Sequence, residues 1–162
     1  MSDPAARASA PHSIALATAA DVAELLGLMR AYCDFYATAP SDESLLALSR
    51  ALLEQPEREG IQLLARERAG RAVGFATIFW SWDTTEGARV GIMNDLYVVP
   101  DARGAGLGER LLAAARERCA LRGAVRLEWL TSPENLPARA LYERAGAVRE
   151  PWLVYTLAAS GA

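Results

Sequence analysis

The stretch Asp95-Leu96-Tyr97-Val98-Val99-Pro100-Asp101-Ala102-Arg103-Gly104-Ala105-Gly106-Leu107-Gly108 runs directly into Glu109-Arg110-Leu111-Leu112. A β-branched apolar run stops at a proline, a basic residue and three alternate glycines follow, and a helical pattern begins. Glycine at a strand-to-helix turn adopts φ > 0 without strain and lets a ligand come close to the backbone. The helix that opens there offers unpaired N–H groups and the positive end of its dipole. Such a turn suits an anion, most often phosphate. A P-loop would close on Gly-Lys-Ser/Thr, whereas this turn closes on Leu107-Gly108-Glu109 and the chain contains no lysine. A dinucleotide fingerprint requires glycine where Glu109 stands, and a strand that opens a βαβ unit. Glu128 further on would mimic the ribose-binding acid, but the strand before this turn closes an antiparallel meander instead.

Upstream, that meander comprises Ile61 to Glu67, Ala72 to Trp82 and Ala88 to Val99, joined by the turns Arg68–Arg71 and Asp83–Gly87. Before it, His12 to Thr18 alternates as a first strand. Thr18 or Asp21 then caps a helix over roughly 20 to 32, with Val22, Leu25, Leu26, Leu28 and Met29 at helical spacing. An aromatic segment, Tyr32 to Pro40, leaves it. Ser41 caps a second helix carrying Leu45, Leu46, Leu48, Leu52 and Leu53, which stops before Pro56. Downstream of the turn, a helix from about 106 to 122 closes at Gly123 and a strand covers Ala124 to Leu130. A polar loop leads to a helix from Pro137 to about Ala145, closed by Gly146, and Val148 to Leu157 forms a last strand broken by Pro151. The order β-α-α-β-β-β-α-β-α-β predicts an α+β (mixed α/β) fold around a central mixed, mostly antiparallel sheet. One domain is expected over 12–158, with 1–11 a disordered leader and 159–162 a tail.

The bulk numbers narrow the function. The chain has 162 residues, enough for one domain with a sizeable core, and its 52% apolar and 23% charged content is ordinary for a globular protein. A net charge of −3 offers no basic field for nucleic acid. No apolar run is long enough to cross a bilayer, and the N-terminus has no hydrophobic signal region, so a cytoplasmic location is expected. Cys33 and Cys119 are far apart and lack metal-ligand spacing; they read as buried small hydrophobes in a reducing compartment, and no metal is expected. His12 is the only histidine and stands in a frayed segment.

The run Val98-x-Pro100-x-x-Arg103-Gly104-x-Gly106-x-Gly108 resembles the pyrophosphate-binding motif of the GNAT superfamily of N-acetyltransferases, Arg/Gln-x-x-Gly-x-Gly/Ala. Asn135, Ala138 and Leu141-Tyr142-Glu143-Arg144-Ala145-Gly146-Ala147 resemble a second motif of that family, Asn-x-x-Ala-x-x-x-Tyr-x-x-x-Gly. With the element order, the resemblance covers roughly residues 13 to 157. Within the superfamily, Ala17–Asp21, Val73–Ala76 and Asn94–Val98 look like runs of the spermidine/spermine acetyltransferase branch. Those polyamine enzymes carry a pair of acids where this chain has Asn94 and Asp95, so one member is missing.

The resemblance implies acetyl-CoA as co-substrate. Backbone N–H groups of Arg103, Gly104, Ala105, Gly106, Leu107 and Gly108 would hold its pyrophosphate. Leu96, Tyr97 and Val98 would pair with the pantetheine arm like an added strand, and Asn135 would bind that arm or the loop shaping it. Acetyl transfer to an amine needs removal of an ammonium proton, stabilisation of an oxyanion and departure of a thiolate. Tyr142 is the expected general acid, since a phenol near pKa ~10 can return a proton to a thiolate whose acid lies near ~8.5; packing of helix on sheet is its other reading. Asp95 is the expected base, acting through water, and is equally readable as a structural acid at a bulge or beside an arginine. Tyr32, Asp34, Tyr36 and Trp80 are expected to line the acceptor cleft, with Trp82, Trp129 and Trp152 as further walls, although each aromatic residue also fits core packing.

The expected activity is transfer of acetyl to a primary amine of a small molecule, diamine- or polyamine-like or amino-acid-like, by direct attack in a ternary complex. The resemblance also implies a homodimer, while the charge and the absence of a long apolar run predict no nucleic-acid or membrane partner. A protein or peptide N-terminal acetyltransferase and a non-catalytic acyl-CoA-binding domain are the rival readings.

Overall fold

The computed structural model describes residues 12–159, so the expected leader and the end of the expected tail lie outside the described residues. The chain divides into two compact units between Leu130 and Thr131.

The first unit holds β1 (Ser13–Leu16), α1 (Val22–Phe35), α2 (Asp42–Glu54), β2 (Gly60–Arg66), β3 (Ala72–Asp83), β4 (Ala88–Val98), α3 (Leu107–Leu121) and β5 (Leu127–Glu128). The strands lie in chain order across one mixed sheet. The first four run antiparallel to their neighbours, and β5 is parallel to β4. Local signals set the helix starts. Asp21 accepts from the Thr18 backbone N–H and hydroxyl, both at 2.8 Å, ahead of α1. The Ser41 hydroxyl accepts the Ser44 N–H at 3.2 Å and caps α2.

Two expectations about boundaries are corrected. Helix α1 continues through Phe35 instead of ending near 32, so Tyr32, Cys33 and Asp34 are helical. It stops at Ala37, which takes a left-handed φ of 53° while its N–H reaches Asp34 O at 3.0 Å, a closure for which glycine is the usual residue. The strand expected over Ala124–Leu130 shrinks to Leu127–Glu128, which pair only with Gly91 and Ile92. Around it, Arg126 is drawn into ion pairs with Asp83, Glu86 and Glu128.

Strand register assigns each side chain to a face, because successive residues of a strand point to opposite sides. One face carries the rows Gln62–Thr77–Asp95 and Leu64–Phe75–Tyr97. Helix α1 covers it with Leu25, Leu28 and Met29, which cluster with Leu64, Phe75 and Tyr97. The opposite face carries Ile61–Ile78–Met93, Leu63–Ala76–Leu96 and Ala65–Gly74–Val98. Helix α3 covers that side with Leu107, Leu111, Ala115 and Cys119, each at most 2% exposed. Its approach is close: a Cβ on Gly91 would stand 2.3 Å from Cys119 Sγ.

The register slips once within β4. Thr77 pairs with Asp95 but Ile78 pairs with Met93, leaving Asn94 as an extra residue. This is a β-bulge. Without it Met93 and Asp95 would share a face; with it Met93 faces α3 and Asp95 faces α1 and α2.

The second unit contains α4 (Leu136–Arg144). The Asn135 side-chain oxygen accepts the Ala138 N–H at 3.4 Å to cap it, and Pro137 occupies the first turn. Gly146 ends it with φ of 82°. The last strand expected over Val148–Leu157 is not formed. Pro151 supplies no N–H for a ladder, and Val148, Trp152, Leu153, Val154, Tyr155 and Leu157 are each at least 61% exposed.

Candidate active site

The bulge at Asn94 turns Asp95 into a small cavity of about 190 Å³. Met29, Tyr32 and Cys33 of α1 wall it on one side and Leu45 and Leu48 of α2 on another; Phe75 of β3 with Asn94 and Asp95 of β4 complete it. Asp95 is 8% exposed. The Asn94 side-chain amide donates to its carboxylate at 2.9 Å, and the Tyr32 hydroxyl reaches Asn94 O at 3.4 Å. Burial raises the Asp95 pKa above the usual carboxylate value, while hydrogen bonds from Thr77, Tyr32 and Asn94 pull it down. Burial, and then the Asp95 charge, push the Tyr32 phenol well above its ordinary range, so it stays a neutral donor.

Two aromatic rings, Tyr32 and Phe75, share the cavity with the acid, and two more pack against Tyr32. The Tyr32 ring stands edge-on to Tyr36 at 5.0 Å, to Phe75 at 6.0 Å and to Tyr97 at 6.2 Å between centroids. Apolar and aromatic walls around one carboxylate suit an amine: the acid meets an ammonium or takes its proton, and the walls take a compact apolar body. A second hollow, about 260 Å³, lies among Leu16, Leu52, Leu53, Pro56 and Ile61 and has no acid or base in its lining.

Of the residues expected at the acceptor, only Tyr32 lines this cavity. Asp34 and Tyr36 are exposed at the end of α1, where Tyr36 meets the cavity only through the Tyr32 ring. Trp80 belongs elsewhere. Its parity on β3 matches Ile78, facing α3, where its indole N–H donates to Pro56 O at 2.8 Å and the Arg122 guanidinium lies 5.3 Å from its ring. Trp82 is exposed beneath Arg89.

The glycine turn follows the C-terminal end of β4. Beyond Ile92, β4 has lost its pairing with β5 while still paired to β3, so the described strands leave one hydrogen-bonding edge of Leu96, Tyr97 and Val98 without a ladder. Arg103 Nε donates to Val98 O at 2.8 Å, and its guanidinium lies 5.7 Å from the Tyr97 ring. Gly104 and Gly106 have φ of 83° and 73°, and a Cβ built on either would meet nothing within 4 Å. Backbone conformation, not crowding by protein, therefore demands glycine, and the space above the turn is open to a ligand. Gly106 opens α3 with no side-chain cap, Ala105 is exposed, and buried Leu107 anchors the turn next to Gly108. Positive-φ glycines leading into an uncapped helix start fit the pyrophosphate of a coenzyme.

Asn135 and Tyr142 belong to the second unit, seven positions apart at and beyond the start of α4, both half-buried. The Asn135 oxygen is engaged in capping, which leaves its amide N–H groups for other partners. Of the cavity lining only Tyr32 and Asp95 were expected at the site; the rest, and Gln62 and Thr77 in the row beside Asp95, were not. Gln62 and Thr77 carried a signal, as single polar residues inside otherwise apolar strands.

Residues 15–147 match the model of the Acetyltransferase (GNAT) family. The uncharacterized N-acetyltransferase YhfO of Bacillus subtilis (strain 168) is 34% identical over 143 residues, covering 88% of this chain and 94% of its own length. The L-methionine sulfoximine/L-methionine sulfone acetyltransferase of Pseudomonas paraeruginosa is 32% identical over 132 residues, covering 78% of this chain and 76% of its own. A solved structure described as a probable acetyltransferase superposes with a TM-score of 0.81 at 29% identity, covering 93% of this chain and 99% of that one. With two family motifs in place and a family match over most of its length, this chain belongs to the acetyltransferase (GNAT) family and is an acetyl-CoA-dependent N-acetyltransferase.

Proposed function

We propose that the acceptor is a small primary amine with a compact apolar body, acetylated by direct attack with Asp95 as the base. The observation that carries this reading is a buried carboxylate in an apolar and aromatic cavity of about 190 Å³. That volume is below the ~300–1,000 Å³ of ordinary ligand pockets, which favours one short side chain over a long or branched polycation. A single acid also suits one ammonium better than the repeated charges of a polyamine. The Pseudomonas relative, named for two amino-acid derivatives, supports the amino-acid-like half of this class.

Acetyl-CoA supplies an activated acyl group whose thiolate is a good leaving group. The backbone from Arg103 to Gly108 holds its pyrophosphate, and the free edge of Leu96, Tyr97 and Val98 pairs with the pantetheine arm. Asp95, directly or through one water, removes the proton of an ammonium with pKa near ~10 before attack. Tyr32 and the aromatic group flank the amine. Tyr142 returns a proton to the thiolate, and Asn135 orders the coenzyme arm or the loop beside it; family spacing along α4 and the proton affinity of a phenol support these roles.

Thiol release from acetyl-CoA across a panel of apolar α-amino acids, diamines, polyamines, aminoglycosides and peptides tests the reading. Turnover is expected with compact amino acids or short diamines. Turnover confined to peptides, or coenzyme binding with no turnover on any amine, would overturn it. Tyr142→Phe should lower thiol release at least tenfold while acetyl-CoA binding by calorimetry persists, and an unchanged rate removes Tyr142 from the role. The proposal extends to a homodimer, for which light scattering at the monomer mass is the contrary result.

A further inference from the structure

Three adjacent strands each contribute one polar side chain to a single row. Gln62 of β2 pairs with Thr77 of β3, and Thr77 pairs with Asp95 of β4. Thr77 is 0% and Gln62 5% exposed, so each must satisfy its polar atoms within the fold. Gln62 Nε2 lies 3.2 Å from Thr77 Oγ1 and 3.5 Å from Met29 Sδ. A thioether only accepts, so the Gln62 atom facing Met29 is the amide nitrogen, and the same NH2 group gives its other hydrogen to Thr77. The Thr77 oxygen is thereby an acceptor from Gln62, and strand pairing puts Asp95 next to Thr77 in the same row, on the side away from Gln62.

We propose that Thr77, oriented by Gln62, is a positioning residue that fixes the Asp95 carboxylate and keeps it ionised for proton uptake from the acceptor amine. This rests on the reading of Asp95 as the base. The row acts in one direction: Gln62 donates to Thr77 and Thr77 donates to Asp95, so each bond favours the charged form of the acid. Burial drives the Asp95 pKa up, and among the hydrogen bonds that oppose it the one from Thr77 has the largest effect. The titratable groups facing the cavity are Tyr32 and Cys33 of α1. Tyr36 stands behind Tyr32, and Tyr97 lies beyond on β4. Helix α2 contributes Leu45 and Leu48, and β3 contributes Phe75 beside Thr77. No arginine belongs to the cavity lining, so hydrogen bonds carry the task that a cation would otherwise perform.

The test follows Asp95 directly and through catalysis. Carboxyl carbon NMR titrates the intact enzyme, with the Asp95 resonance identified by its loss in Asp95→Asn, and the acid limb of kcat/KM is measured in parallel. Thr77→Val should move both upward by about one pH unit, and Thr77→Ser should return both to the parent value. If Thr77→Val does not fold, Gln62→Met leaves the hydroxyl present but unoriented and should move both in the same direction by less. An Asp95 resonance that titrates as in the parent when Thr77 is replaced overturns the inference. A resonance that moves while the rate profile stays fixed upholds the coupling and overturns Asp95 as the base.

Discussion

The two faces of the sheet are built on opposite terms. On the α3 side, small and aliphatic residues lie against a helix so close that Gly91 leaves room for Cys119 Sγ and nothing more. Burial there pushes the Cys119 thiol up to about 11, the behaviour of an inert packing group. On the α1 and α2 side the same strands present Gln62, Thr77 and Asp95 to a cavity, and the helices stand back from the acid. One face contributes stability through contact, and the other buries a carboxylate beside a cavity.

Substitutions on the two faces should therefore fail differently. The largest effect belongs to Asp95→Asn: loss of a general base is expected to lower kcat/KM by ~10²- to 10⁴-fold, with circular dichroism melts showing a chain at least as stable as the parent. A fall in activity that tracks unfolding would erase the contrast. Next comes Gly91→Ala, which should cost ~1–3 kcal/mol by overpacking, measured by urea unfolding, with turnover per folded molecule unchanged. Replacing Cys119 by Ala in the same chain should restore part of that loss; no recovery would mean the helix is not held by that contact.

The smallest effect separates the faces by pH. Because the native pKa of Asp95 is raised, the folded chain binds that proton more tightly than the unfolded one. The stability linked to Asp95 is thus fully present below the unfolded value of ~3.9 and is lost as pH rises through the native value. Melts of parent and Asp95→Asn across pH 4 to 8 should diverge in favour of the variant as pH rises. Parallel curves would show that the acid is not buried at a cost.

The glycine turn was readable because its chemistry is local: positive φ at Gly104 and Gly106 is demanded within a few residues, whatever surrounds them. The helix caps at Ser41 and Asn135 were local as well. The cavity was not, since it depends on which residues of three strands fall in one row, and that depends on register. An unbroken alternation along β4 puts Asp95 beside Met93 on the α3 face, so only the slip at Asn94 reveals what Asp95 faces. Trp80 misled for a related reason: an indole two residues from a strand end says nothing about which side it takes until the pairing is known. The last strand failed because apolar, β-branched composition over 148–157 is compatible with pairing but does not supply a partner.

Asn94 leaves β4 measured by two rulers. Counted forward from Ala88, residues keep the beat of the packed face; counted back from Pro100, they keep the beat of the cavity face. The hairpin end of the strand can lengthen or shorten by one without re-aiming Asp95, provided the slip absorbs the change, and the glycine turn can stay in step with the acid while the scaffold beneath it varies. A single inserted residue thus gives one strand two separable lineages of constraint.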